Sequence, residues 1–415
     1  MDRKRVVVTG MGLLSPIGNT VEDAWDSAKN GRSGIDWVTD IVVPEGVNPV
    51  AGQVRDFDPV EIFGKRDARR IDRISQFALV AARQAVESAG ISGNGHDPYD
   101  YGVIFGTGAG AMHSLTEMVL AFEERGRLGV SPVLMPSILH DNVSAKITME
   151  YDLRGPNYSI VSACATGNNA IGDATDLIRL GRAKVMLAGA TESGFVNMLM
   201  SGFHNLKVLA ERYDDPTRAA RPFDLNRTGF IAGEGAGVLV LEDYDHALER
   251  GATIYAEILG YGHTSDAYHV TAPREDGEAA AYAIRLALRD ANLEAGDIDY
   301  INAHGTGTQL NDLSETMAIK RALGEQAYAI PISSTKSMTG HMLSATPMVE
   351  AVMAIMALRD NFVPPTINLD TPDPACDLDY VPNIGRAVEV NAVMSNAFGF
   401  GGHNAVIIFG APPAA

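Results

Sequence analysis

Ser159-Ile160-Val161-Ser162-Ala163-Cys164-Ala165-Thr166-Gly167 reads as a short buried strand that turns sharply into a helix, with a cysteine at the bend. Beyond the bend, Ile171, Ala174, Leu177 and Ile178 recur at helical spacing, and Gly181 stops the run. The same plan returns later in the chain. Ile332-Ser333-Ser334-Thr335 meets Lys336 and the turn Ser337-Met338-Thr339-Gly340-His341, and a helix follows with Val349, Val352, Met353 and Met356 on one face. A second pair keeps the same order. Gly229-Phe230-Ile231-Ala232-Gly233-Glu234-Gly235-Ala236 feeds an apolar strand over residues 237–242. Asn396-Ala397-Phe398-Gly399-Phe400-Gly401-Gly402-His403 feeds another over residues 405–409. A repeated plan of this kind predicts two similar halves, residues 1–250 and 251–415. No flexible stretch separates them, which predicts one body rather than two tethered domains.

Working outward, Val6-Val7-Val8-Thr9 reads as a buried strand. Residues 74–89 carry apolar side chains at helical spacing and end at Gly90, and Val103-Ile104-Phe105 is another short strand. The alternation predicts an α/β protein with buried, largely parallel strands. Two glycine runs, Gly10-Met11-Gly12 and Gly106-Thr107-Gly108-Ala109-Gly110, imitate part of a dinucleotide fingerprint. Each lacks the final glycine and no acidic residue ends a following strand, so nicotinamide binding is not expected.

Composition narrows the function classes. The 415 residues include 46% hydrophobic and 20% charged side chains, the profile of a globular protein with a large core. The net charge of −19 opposes non-specific binding to nucleic acid or to an anionic membrane. Two cysteines, Cys164 and Cys376, make no disulfide framework, and without a C-x-x-C no zinc site is expected. No metal or other cofactor is expected. No signal peptide or long apolar run is visible, so a cytoplasmic location is expected.

Four segments could carry chemistry. Cys164 falls where a strand becomes a helix, and a helix N-terminus lowers a thiol's pKa and makes a nucleophile; a lone cysteine is equally at home in a core. His304, in Asn302-Ala303-His304-Gly305-Thr306-Gly307-Thr308, ends a strand and aims into the crevice where α/β folds bind ligands. His341 starts the second half's helix, in the region that answers to Cys164. Pseudo-twofold packing would bring the two together, with Lys336 behind them. The glycines of Phe398-Gly399-Phe400-Gly401-Gly402 allow a tight turn whose N–H groups could serve an oxyanion.

Together these segments resemble the β-ketoacyl-acyl carrier protein synthase family, most closely its elongating synthase II type. The resemblance spans essentially the whole chain. It rests on Cys164-Ala165-Thr166-Gly167, Arg221-Pro222-Phe223-Asp224, Gly233-Glu234-Gly235-Ala236, His304-Gly305-Thr306-Gly307-Thr308, Lys336-Ser337-Met338-Thr339-Gly340-His341 and Gly399-Phe400-Gly401-Gly402. It implies a thiolase fold of five αβαβα layers built from two similar halves, a homodimer, and a ping-pong decarboxylative condensation. An acyl group is carried on Cys164 and extended from a malonyl group, both delivered by acyl carrier protein.

Residue roles follow from the same resemblance. His304 and His341 donate to the thioester oxygen, and Lys336 sets the site's charge and orients His341. The N–H groups of Cys164 and Phe400 form a second oxyanion hole, and Phe400 gates the acyl pocket beside Phe398. Thr271, Thr306 and Thr308 hold the phosphopantetheine arm. Ala109 and Val133 stand where bulkier residues often line the acyl tunnel. Lys65, Arg66, Arg69, Arg70 and Arg73 form the densest basic run for an acidic carrier, with Arg125, Arg127 and Lys207 as further candidates. Gln309, His403 and Ser344-Ala345-Thr346-Pro347 depart from the family pattern. A polyketide ketosynthase would use the same chemistry, whereas a silent chain-length-factor-like subunit would lack the cysteine.

Overall fold

In the computed structural model, which describes residues 3–38, 49–91, 97–211 and 213–413, the apolar run that opens at Val6 does not stop at Thr9. It continues through both glycines as strand β1 (Val6–Leu14). Helix α1 (Arg73–Ala89) lies across it, started by the Asp72 side chain and closed by Gly90 in the left-handed conformation. The glycines are there for this crossing. A Cβ on Gly10 would stand 2.3 Å from the Ala85 carbonyl oxygen, and one on Gly12 2.1 Å from that of Ala81. The pattern that imitates a nucleotide fingerprint is a close helix-on-strand contact.

The other strands of the main sheet are β2 (Tyr101–Gly106), β3 (Asn157–Tyr158), β4 (Val185–Glu192), β5 (Gly235–Asp243), β6 (Ala256–Ser265), β7 (Tyr300–Asn302), β8 (Ile332–Ser333), β9 (Ala392–Gly399) and β10 (His403–Gly410). The helices that matter to the site are α2 (Asn142–Tyr151), α3 (Thr166–Arg179), α4 (Glu278–Ala291), α5 (Gln309–Leu323) and α6 (Thr346–Asp360). The strand order is β8-β7-β9-β10-β6-β1-β5-β4-β2-β3. From the centre outward, each strand on one side matches the strand five places later in the chain on the other. Among the described residues the two sets meet where Val7 faces Glu257 and Val8 faces Ala256. The close crossing also repeats: a Cβ on Gly260 or Gly262 would stand 2.2 Å from a carbonyl oxygen of α4.

Three apolar clusters join five layers of structure, the central one packing on both faces of the middle layer. Val185 and Leu187 of β4, with Val238 and Val240 of β5, face α1 and α2. Met186, Ala188, Leu239 and Leu241 face inward, onto a central layer made of α3 and α6. On the far side Met394, Val406 and Ile408 face α4 and α5. This period-two alternation assigns β4, β5, β9 and β10 two buried faces.

Some expectations change. The ladders are mixed rather than largely parallel: β1–β5, β4–β5, β9–β10 and β10–β6 run antiparallel, β2–β4 and β7–β9 parallel. Residues 159–162 are not a strand; β3 ends at Tyr158. There the chain leaves the sheet edge, and the Ser159 hydroxyl, not a backbone ladder, binds the Phe105 carbonyl at 2.7 Å. The second sequence pair is matched in its strands only, because Asn396-Ala397-Phe398-Gly399 already lies inside β9. Pro347 is accommodated in the first turn of α6, where its missing N–H removes no helix bond. Among the described residues no helix is long and apolar enough to cross a membrane.

Candidate active site

Cys164 sits in the 3-10 turn Ala163–Ala165 just ahead of α3. The chain enters that turn through Ala163 at φ +50°, a left-handed conformation unfavourable for a residue with a Cβ. The Thr166 hydroxyl holds it, accepting from the Ser162 N–H at 2.9 Å and donating to the Ala163 carbonyl at 2.7 Å. The second half makes the same turn over Leu343–Ala345, with Leu343 at φ +47°. In this register Ser344, not His341, is the counterpart of Cys164. His341 lies three residues earlier and reaches the cysteine because the two turns face each other across the central layer.

His341 Nε2 stands 3.1 Å from Cys164 Sγ, and its Nδ1 stands 3.1 Å from Thr346 Oγ1. The His341 N–H donates to the Ile231 carbonyl at 2.6 Å, and the Phe230 ring meets the imidazole edge-on at 5.3 Å between centroids. His304 follows the end of β7. Its ring is 5.4 Å from that of His341 and nearly perpendicular, with Phe398 on another side at 5.8 Å. The His304 and Gly305 N–H groups donate to the Glu315 carboxylate at 2.8 and 2.7 Å, which fixes the backbone that presents the ring. Lys336 lies behind the site and donates to Glu350 Oε1 at 2.8 Å, both side chains being almost wholly buried.

Burial dominates the electrostatics. It pushes the Cys164 thiol up to about 12, against the opposing pull of Lys336 and of the Phe400 N–H. Against the expectation of a thiol acidified by a helix N-terminus, the net direction is upward: the sulfur precedes the helix proper, and its burial outweighs the N–H donors that pull the other way. Burial, then the Lys336 charge, holds His341 well below 6.5; His304 is lowered by the same two causes and by His341 itself. Both rings are neutral near neutral pH. Glu315 and Glu350 are raised to about 7 by burial, opposed by the N–H donors and by Lys336 respectively.

A cavity of about 580 Å³ opens onto this cluster. Cys164, His304, His341, Phe398 and Phe400 border it, as do Thr271, Thr306 and Thr308. The Thr306 and Thr308 hydroxyls are 3.0 Å apart, and Thr308 also caps α5. Ala109, Gln309 and Lys207 reach the same cavity. Val133 does not: it is 45% exposed, ahead of a short helix at Leu134–Ile138. Lys65, Arg66, Arg69 and Arg70 are exposed in and after the helix Pro59–Ala68. Arg73 turns inward instead and pairs with buried Glu234 at 2.6 Å. His403 packs beside the turn, its Nε2 3.0 Å from where a Cβ on Gly401 would stand. No cluster of metal-ligating side chains occurs among the described residues.

Four functional neighbours escaped the sequence reading. Glu315 and Glu350 hold His304 and Lys336, and Thr346 meets His341. Glu192 accepts from the Gly108 and Ala109 N–H groups at 2.9 and 3.1 Å and from Ser344 Oγ at 2.6 Å, which fixes the cavity wall. A signal existed for two of them. Glu350 is the one acidic residue in the apolar run of residues 347–358, and Glu192 closes an apolar strand. Carboxylates in such surroundings need buried partners.

Known proteins share this arrangement of sequence and fold. Residues 3–247 match the description of the β-ketoacyl synthase N-terminal domain, and residues 255–370 that of its C-terminal domain. A 3-oxoacyl-[acyl-carrier-protein] synthase 2 from Synechocystis sp. is 45% identical over 99% of this chain and 98% of its own. The enzyme of the same name from Staphylococcus aureus is 44% identical over 98% of both. Among solved structures, a type II polyketide ketosynthase in complex with its acyl-carrier protein, bound to the hexaketide, superposes with a TM-score of 0.92. It is 36% identical and covers 99% of this chain and 100% of its own. A β-ketoacyl synthase from Burkholderia phymatum gives 0.90 at 35% identity, over 99% and 100%.

Proposed function

The chain belongs to the β-ketoacyl synthase family, and from that membership we propose that it is an elongating β-ketoacyl-acyl carrier protein synthase, an acyltransferase of fatty-acid synthesis. The observation that carries the reading is the 3.1 Å contact between Cys164 Sγ and His341 Nε2 at a cavity that His304 also borders.

The reaction runs in two stages. In the first, the Cys164 thiol gives its proton to neutral His341 Nε2 as the sulfur attacks the acyl thioester. The acyl carbon–sulfur bond to the carrier's pantetheine breaks, and the departing thiolate takes the proton. The N–H groups of Cys164 and Phe400 stabilise the oxyanion, a role supported by their action on the sulfur itself. In the second, the malonyl thioester loses CO₂, and His304 and His341 donate to its developing enolate oxygen. The carbanion attacks the acyl carbon, and Cys164 leaves and is reprotonated from water. Lys336 sets the charge behind both rings. Phe400 gates the acyl pocket beside Phe398 and Ala109, while Thr271, Thr306 and Thr308 hold the pantetheine arm.

The acyl carrier protein is the partner of this reading, docked on Lys65, Arg66, Arg69, Arg70 and Lys207, whose exposure supports the role. Residues 1–250 and 251–415 are its two halves, supported by the matched strand orders. A homodimer and a cytoplasmic location complete the reading. A second reading, a polyketide ketosynthase with the same mechanism, is favoured by the likeness to the hexaketide-bound enzyme.

Mass spectrometry after incubation with acyl-carriers of graded length tests both. A single acyl adduct on Cys164, absent from Cys164→Ala, is expected. Saturated long-chain adducts support elongation, and selective loading of β-ketoacyl chains supports the second reading. A panel that leaves Cys164 unmodified overturns the enzyme assignment.

A further inference from the structure

We propose that Thr346 is a positioning residue for this reaction: its hydroxyl holds the His341 ring through Nδ1 and keeps Nε2 on the Cys164 sulfur in either neutral tautomer. The inference rests on the reading of Cys164 and His341 given above. The contact is 3.1 Å between two side chains that are 1% and 3% exposed, so no bulk water competes for it.

Two features make the hydroxyl a fixed one. Thr346 is the first residue of α6, directly after the Leu343–Ala345 turn, with helical backbone angles. Its branched Cβ limits the rotamers. Its partner is also out of the ordinary for this fold position. In the first half the counterpart, Thr166, uses its hydroxyl on its own turn, on Ser162 and Ala163. In the second half the hydroxyl is turned onto a ring instead. Of the two histidines only His341 is held in this way, because among the described residues His304 Nδ1 has no hydrogen-bond partner.

A hydroxyl suits the two stages as a backbone group would not. A carbonyl only accepts and an N–H only donates, so each would lock one tautomer. Taking the thiol proton needs a bare Nε2, hence a proton on Nδ1, which Thr346 Oγ1 accepts. Donating to the enolate oxygen needs a proton on Nε2, hence a bare Nδ1, to which the Thr346 O–H donates; as the carriers exchange, water in the cavity gives Nε2 a proton and takes the Nδ1 proton in return, so the tautomer changes with no net gain or loss. Thr346 thus supports His341 in both duties while the ring stays in place.

Thr346→Val and Thr346→Ser test this in the full chain. Thr346→Val is expected to slow single-turnover acylation of Cys164 about tenfold with the acyl-carrier KM unchanged, the rate equivalent of one ordinary hydrogen bond. Thr346→Ser should return the rate to within about threefold of the parent. Wild-type speed in Thr346→Val, or a serine variant as slow as the valine one, overturns the proposal. Should Thr346→Val fail to fold, nitrogen NMR of the histidine-labelled parent decides, since a His341 Nδ1 signal free of hydrogen bonding overturns it equally. That spectrum is independent of catalysis. A parent that takes no acyl group fails the reading of function and leaves the NMR test of Thr346 standing.

Discussion

Burial pushes the Cys164 thiol up to about 12 and holds His341 well below 6.5, so the resting pair is a neutral thiol beside a neutral imidazole. In the proposed reaction the nucleophile is made at the moment of attack, by proton transfer over the 3.1 Å contact, rather than stored as a thiolate. This fixes the sign of the acid response. A lowered histidine pKa means that the proton blocking Nε2 binds only well into acid. The single-turnover acylation rate should therefore hold as pH falls through 6.5 and fail below it, and an inflection at or above 6.5 would contradict the arrangement. Lys336 contributes to that lowering through its charge, which Glu350 keeps buried and paired.

At the level of elements, function depends on turns that only certain backbones allow. The Cys164 turn at Ala163 and its echo at Leu343 both hold left-handed residues with side chains, and each is followed by a helix of the central layer. The helix crossings on β1 and β6 depend on missing side chains. Gly12→Ala would drive a methyl against the Ala81 carbonyl oxygen, 2.1 Å from the new Cβ, and should destabilise the protein by about 3 kcal/mol in denaturant unfolding. Gly202 is the control. It lies in the helix Asn197–Asn205 with nothing within 4 Å of a Cβ, so Gly202→Ala should stabilise by about 0.5–1 kcal/mol. Equal effects at the two sites would show that packing, as described, is not what the glycines serve.

At the scale of the whole molecule, the proposed docking of an acidic carrier on a chain of net charge −19 requires a local basic face. Lys65→Glu with Arg66→Glu should raise the acyl-carrier KM about tenfold and leave turnover of a small pantetheine thioester unchanged. Salt should weaken carrier use by the parent and not by the double variant; an unchanged KM would remove these residues from the docking face. Much of this protein was legible in its sequence, because local chemistry carries it. Helical spacing over residues 74–89, the duplicated turn–helix plan, and the identities of Cys164, His304 and His341 are properties of short segments. Other features belong to the packed molecule. Cys164 and His341 are 177 positions apart, and their contact exists only because two halves close on a central helical layer. The direction of the thiol's pKa followed burial, which every neighbour sets together and which outweighs the N–H donors at the turn. β1 ran on through its glycines because a helix needed room there. The choice of Glu315, Glu350 and Thr346 as partners was likewise decided by the tertiary structure, since a buried polar group is satisfied by whatever the fold brings within reach.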